Sequence, residues 1–222
     1  FTQKETALHG HFIQKILIEV LGYTGFGQAA AWNLQREQQL GKGSVDVALG
    51  RFTEHESHIL APFELKGANT RDLDAIMPGR HKSPVQQAWE YGMDAPGAQW
   101  VLVSNYLELR LYAIGYGRQV YETWKFSELT EPQEYGRFIL LLSAENLLSG
   151  RTLSLLQESD KVEKEITNVL YQDYKTLRAR LIATLRQDNP TAAALYLIAF
   201  AQTMLDRLLF IAFAEDKGLL PR

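Results

Sequence analysis

His58-Ile59-Leu60-Ala61-Pro62-Phe63-Glu64-Leu65-Lys66 is an apolar run that closes on an acid and a base two positions apart. Whether it is strand or helix decides the architecture. Asp or Glu two residues before Lys also occurs at Asp173-Tyr174-Lys175 and Glu215-Asp216-Lys217, both in strongly helical sequence. Residues two apart point to nearly opposite sides of a helix but share one face of a strand. The run at 58–66 follows a polar turn at 53–57 and stops at Gly67, as a strand does. Of the three candidates it alone sets its acid and base side by side.

Upstream, Val45, Val47 and Leu49 alternate around Asp46 after the turn Gly41-Lys42-Gly43, so 44–52 and 58–66 read as a hairpin. A weaker strand signal covers 29–39. Residues 2–21 carry Leu8, Phe12, Ile16, Leu17, Val20 and Leu21 at three- and four-residue spacing, which predicts an amphipathic helix ended by Gly22. Downstream, a charged loop at 67–82 holds Arg71, Arg80, His81 and Lys82. Ser83-Pro84-Val85-Gln86 then has the form of a helix start, with Ser at the cap, Pro at the first helical position and Gln three residues after the cap. Strands follow at 99–104, 107–112 and 119–124.

Beyond about residue 130 helical periodicity takes over. Val162, Ile166, Val169, Leu170, Leu177, Leu181 and Leu185 mark one face of a long helix that Asn189-Pro190 breaks. The segment 191–216 is denser in apolar residues and is expected to be buried on most sides. The fold class is therefore α/β, a mixed sheet flanked by helices over 1–128, followed by an all-α extension over 129–222.

Asp46 and Glu64 sit on neighbouring strands, which lie about 4.8 Å apart, so both carboxylates can reach one hard cation. Oxygen ligands without Cys or His favour Mg²⁺ or Mn²⁺ over zinc. Lys66 can orient a water and offset charge on a phosphorus centre, and the Leu65 carbonyl is a further oxygen ligand. This is metal-assisted phosphodiester hydrolysis in outline.

Asp46 and Glu64-Leu65-Lys66, with a helix before and an α-β unit after, resemble the PD-(D/E)xK nuclease superfamily, with Val45 where a Pro commonly precedes the Asp. Gln87-Ala88-Trp89-Glu90-Tyr91 is similar to the Gln-x-x-x-Tyr signature of its RecB-like members. The resemblance implies a restriction-endonuclease-like sheet and catalytic roles for Asp46, Glu64, Lys66, Gln87 and Tyr91. The metal would be held by Asp46, Glu64 and Leu65, with Glu5 of the first helix as an added acid and Glu19 as its rival. The tail, from Glu163-Lys164-Glu165-Ile166 through Tyr171 and Tyr174-Lys175 to Leu205-Asp206-Arg207 and Glu215-Asp216-Lys217-Gly218-Leu219-Leu220-Pro221, resembles the helical connector of type IIG fused restriction-modification enzymes. That implies a Mg²⁺-dependent DNA endonuclease domain acting on double-stranded DNA. Its partners would be methyltransferase and target-recognition domains of the same polypeptide, and S-adenosylmethionine would bind only in that further part.

A formal net charge of -3 and a pI near 6.0 argue against a free-standing, nonspecific nucleic-acid binder and predict weak DNA affinity for the chain alone. Cys is absent, which removes disulfides and thiolate metal sites and fits a cytoplasmic setting. No apolar run approaches the roughly 20 residues that span a bilayer, and no signal peptide is visible. The chain opens on Phe1 rather than Met, so it is expected to belong to something longer. His9 and His11 lack a third ligand and do not read as a zinc pair. Two other functions stay open: a non-catalytic nuclease-like module that binds or positions DNA, and the nuclease of a type I restriction or RecB-like repair assembly.

Overall fold

The computed structural model describes residues 5–41, 43–67 and 69–219, with side chains from residue 8 onward. A capping residue and a proline start the helix that organises the first half of the chain. Ser83 Oγ accepts from the Gln86 N–H at 3.1 Å, Gln86 Oε1 accepts from the Ser83 N–H at 3.0 Å, and Pro84 opens α2 (Pro84–Asp94). The N-terminal donors of the helix are thus satisfied reciprocally.

Helix α2 is the crossover of a β-α-β unit. It joins β3 (Ser57–Leu65) to β4 (Trp100–Ser104), which pair in parallel with Glu64 beside Val103 and Leu65 beside Ser104. Around that pair the strands β1 (Trp32–Leu40), β2 (Gly43–Phe52), β5 (Glu108–Ala113) and β6 (Tyr121–Lys125) add antiparallel in chain order, giving an open mixed sheet of six strands. Pro62 lies within β3 just before the parallel ladder begins at Phe63, where its missing N–H breaks no bond to β4. Gly50, at the register shift in β2, is required by contact: a Cβ there would lie 2.1 Å from the His58 carbonyl oxygen.

One sheet face is covered by α2. Val85 and Ala88 of the helix and Leu73 of the preceding loop pack against Val101, Val103 and Tyr112. Beneath the end of the helix, Ala95 and Tyr91 join Trp32, Val45, Ala48 and Phe52. The other face is covered by α1 (Glu5–Phe12) and α3 (Pro132–Leu142). Phe12 meets Phe63 edge-on at 6.1 Å, and Phe138 meets Trp124 at 5.9 Å. The Tyr23 hydroxyl, fully buried, donates to the Leu142 carbonyl at 2.9 Å and ties the segment after the first helix to α3. Arg137 of α3 reaches the outer strand, donating to the Thr123 carbonyl at 2.7 Å and to Glu122 at 2.6 Å while lying over the Trp124 ring.

The first helix departs from the α-periodic reading. From Ile13 to Val20 it continues as a π-helix, with the Leu21 N–H bonded to the Ile16 carbonyl at 2.9 Å. The wider turn changes which residues face inward. Ile13, Leu17 and Leu21 are buried, whereas Val20 is exposed.

The chain forms two compact units, Phe1–Leu155 and Leu156–Arg222. The first takes in α3 and α4 (Ala144–Ser149) as well as the sheet. Helix α5 (Arg151–Asp188) is 38 residues long, about 57 Å at 1.5 Å per residue, and ends one residue before Asn189-Pro190. Within the second unit it pairs with α6 (Ala194–Asp216). The Tyr174 hydroxyl donates to Asp206 at 3.3 Å, and Gln202 donates to both.

Two expectations about α6 are corrected. Only Leu197, Ala201, Leu205 and Ala214 are buried; Leu195, Tyr196, Leu208, Phe210 and Phe213 are exposed, because α5 covers a single stripe of an almost uniformly apolar helix. The helix has 23 residues with mean hydropathy 1.6 over its most apolar window, long and apolar enough to cross a bilayer. Asp206 and Arg207 interrupt the apolar run within it.

Candidate active site

The antiparallel β2-β3 ladder gives the site its geometry. Its last pair is Val47 with Phe63, so Asp46 and Glu64 occupy opposed positions one step further on. Side chains at opposed positions lie on the same face, about 5 Å apart at Cβ. Alternation puts that face opposite the one where Phe63 packs on Phe12, so it is the face under α2. Instead of another backbone bond, Asp46 Oδ2 accepts from the Leu65 N–H at 2.7 Å. The carboxylate thus holds the Leu65 peptide beside the acid pair.

Past Leu65, β3 is bound only on its β4 side, where the Lys66 N–H donates to the Ser104 carbonyl at 2.8 Å. This carries the strand geometry one residue further and turns the Lys66 side chain to the face of Glu64. Lys66 Nζ donates to Glu64 Oε1, forming a buried ion pair. The other oxygen, Glu64 Oε2, is buried and has no hydrogen-bond partner among the described residues.

Helix α2 adds the third side. Gln87, itself buried, donates to the Tyr91 hydroxyl at 3.2 Å, the pair lying one turn apart on the inner face of the helix. A Cβ on Gly43 would come within 2.8 Å of that hydroxyl, so the start of β2 needs a glycine for Tyr91 to lie where it does. From the loop, Arg80 donates to Gln87 Oε1 at 3.1 Å.

Electrostatically these groups act as one cluster. The Glu64 carboxyl is pushed up to about 7 by burial and then by the Asp46 charge, against the pull of Lys66 and Arg80. The Tyr91 hydroxyl is also raised, chiefly by burial, with the Gln87 hydrogen bond opposing and the Glu64 and Asp46 charges adding to the rise. A buried carboxyl beside a second acid, carrying an unpartnered oxygen, is a candidate ion-binding centre.

The donor set suits magnesium or manganese. It is all oxygen, and Mg²⁺ is held by one or two carboxylates, with waters and substrate phosphates filling the rest of its octahedron. Among the described residues no group of three or more His, Asp or Glu side chains gathers, so the fit is to such a shared site rather than to an all-protein cage.

The structure thus brings Asp46, Glu64, Leu65, Lys66, Gln87 and Tyr91 together. The side chain of Glu5 lies outside the described residues, as do Leu220 and Pro221 of the tail motif. Glu19 is engaged on its own helix surface, with Lys15 at 2.8 Å and Gln14 at 3.3 Å. Of the four basic loop residues, Lys82 pairs with Glu90 of α2, and only Arg80 bonds to a site residue. Sequence reasoning grouped the four without separating them, and no spacing rule would have chosen Arg80.

Comparison with protein-family models, with curated proteins and with solved structures gives no match.

Proposed function

We propose that the chain carries a Mg²⁺-dependent phosphodiester hydrolase site acting on double-stranded DNA, the nuclease part of a type IIG restriction-modification enzyme in the cytoplasm. One observation carries the chemistry: Asp46 and Glu64 stand opposed at the open end of the β2-β3 ladder, with Lys66 on one Glu64 oxygen and, among the described residues, no hydrogen-bond partner on the other. The type IIG assignment rests on the resemblance of the triad, the Gln-x-x-x-Tyr helix and the tail.

Asp46, Glu64 and the Leu65 carbonyl would hold the ion. When bound, it polarises the phosphodiester and makes a water more acidic. Lys66 supplies a cation where negative charge gathers as water adds to phosphorus and a P–O ester bond breaks. Gln87 and Tyr91 fix the helix side of the cleft through their mutual hydrogen bond. Buried Glu64 keeps the ion's carboxylate ligand out of bulk water, which strengthens its hold.

The test is nicking of supercoiled DNA by the full-length protein with Mg²⁺ or Mn²⁺, compared with Asp46→Ala and Lys66→Ala. Loss of cleavage in both variants with the fold retained supports the reading. Undiminished cutting by both overturns it, and metal-independent DNA retention without cutting favours the non-catalytic module.

A further inference from the structure

Arg80 sits in a loop built to hold it. The Met77 N–H donates to the Lys82 carbonyl at 3.0 Å and the Arg80 N–H to the Met77 carbonyl at 3.2 Å, closing a short ring of chain. Gly79 and His81, on either side of Arg80, both have positive φ, 75° and 55°. For Gly79 that conformation is free, but for a non-glycine such as His81 it is disfavoured and persists only where the surroundings impose it. Those surroundings are firm: Lys82 is tied to Glu90, and Ser83 is the buried cap of α2. The strained turn aims Arg80 across the first turn of α2 at Gln87, inside the carboxylate cluster.

The charge of this guanidinium is not cancelled. Lys66, Lys82, Arg110 and Arg137 each pair with a carboxylate. Among the described residues Arg80 has no ion pair, and its hydrogen bond goes to a neutral amide. It is close enough to Glu64 to pull that carboxyl down, yet it does not bond to it. Arg80 is also exposed, and its one hydrogen bond among the described residues leaves most of its five N–H donors uncommitted. A planar fork of donors beside an ion-binding acid pair fits a phosphodiester's non-bridging oxygens.

Resting on the nuclease reading above, we propose that Arg80 binds the scissile phosphate of a nucleic-acid strand, with Gln87 as the positioning residue that holds the guanidinium over Asp46 and Glu64. Lys66 then works from inside the cluster and Arg80 from its mouth, so charge that develops on the phosphate is met from two sides.

The experiment uses the full chain and four variants: Arg80→Ala, Arg80→Gln, Arg80→Lys and Asp46→Asn. It measures single-turnover cleavage of a labelled mixed-sequence duplex with Mn²⁺. Binding of the same duplex is followed with Ca²⁺ across a salt series. Arg80→Ala and Arg80→Gln are expected to cleave about 100-fold more slowly, the scale of one lost oxyanion donor. Arg80→Lys recovers part of the rate, since it restores charge but not the fork. Loss of one phosphate contact lowers the slope of log K against log salt by about 0.9. Arg80 is exposed, so unchanged thermal melts separate these effects from misfolding. If Arg80→Ala and Arg80→Gln cut like wild type while Asp46→Asn does not, the role of Arg80 is overturned and the nuclease reading stands. If wild type and Asp46→Asn behave alike, the nuclease reading falls and takes this inference with it.

Discussion

Replacing Glu64 with Gln should flatten the dependence of stability on pH. The fold raises this carboxyl from 4.5 to about 7, mainly by burial, so the native chain holds the proton more tightly than the unfolded chain. The stabilising contribution is therefore complete below 4.5 and is lost as pH rises through about 7. At 1.36 kcal/mol for each pH unit between the two values, the loss comes to about 3 kcal/mol. The amide of the Glu64→Gln variant does not ionise, so the gap in unfolding free energy between wild type and variant should drift by that amount across the interval. Taking the drift rather than the gap removes constant effects, such as the loss of a partner for Lys66. Urea unfolding followed by tryptophan fluorescence reads the relevant unit, since Trp32, Trp89, Trp100 and Trp124 all lie in Phe1–Leu155. Mg²⁺ at about 100 times its Kd should return about 2.7 kcal/mol above neutral pH and far less below 4.5, because it binds the ionised acid. Parallel pH profiles for the two proteins would refute the claim that Glu64 is a strained, buried carboxyl.

Four further outcomes are expected. Asp46→Ala should be less stable than Asp46→Asn by about 1–3 kcal/mol, because only Asn keeps an acceptor for the Leu65 N–H; chemical unfolding of the two variants gives the difference directly. Gly50→Ala should cost about 3 kcal/mol or more in the same assay, since its Cβ meets the His58 backbone at 2.1 Å. Gly43→Ala should cost less, since its nearest neighbour is the movable Tyr91 hydroxyl, but should slow cleavage. In the second unit Leu205→Ala should cost about 2–5 kcal/mol, and Phe210→Ala should stay within about 0.5 kcal/mol, because Leu205 is 3% exposed and Phe210 is 68% exposed. Far-UV circular dichroism during unfolding reads that unit, which has no tryptophan.

Much of the site was legible because local rules agreed. A bounded apolar run made 58–66 a strand, alternation around Asp46 made 44–52 another, and the polar turn between them made a hairpin that sets Asp46 near Glu64. Ser83-Pro84-Val85-Gln86 named its own helix start, and the four-residue step from Gln87 to Tyr91 then fixed the third side. What escaped depended on the partners each element met. The π-helical stretch Ile13–Val20 is one such case, since the three- and four-residue spacing of the sequence gave no sign of it. Apolar density in 191–216 foretold burial, yet burial needs a covering surface, and α5 offers one stripe. Arg80 reaches Gln87 from a backbone turn that residue type and spacing do not announce.

The hold of Arg137 on β6 has a consequence for how the molecule behaves in company. An outer strand whose carbonyls are open invites another chain to continue the sheet, the first step of aggregation. Here the Thr123 carbonyl is already taken by a guanidinium that also spans Glu122 and lies over Trp124. An arriving strand would have to evict a charged group held by Glu122, Thr123, Glu134 and the Trp124 ring before it could bond to that carbonyl. The side chain that fastens α3 to the sheet therefore also obstructs the addition of a further strand along β6.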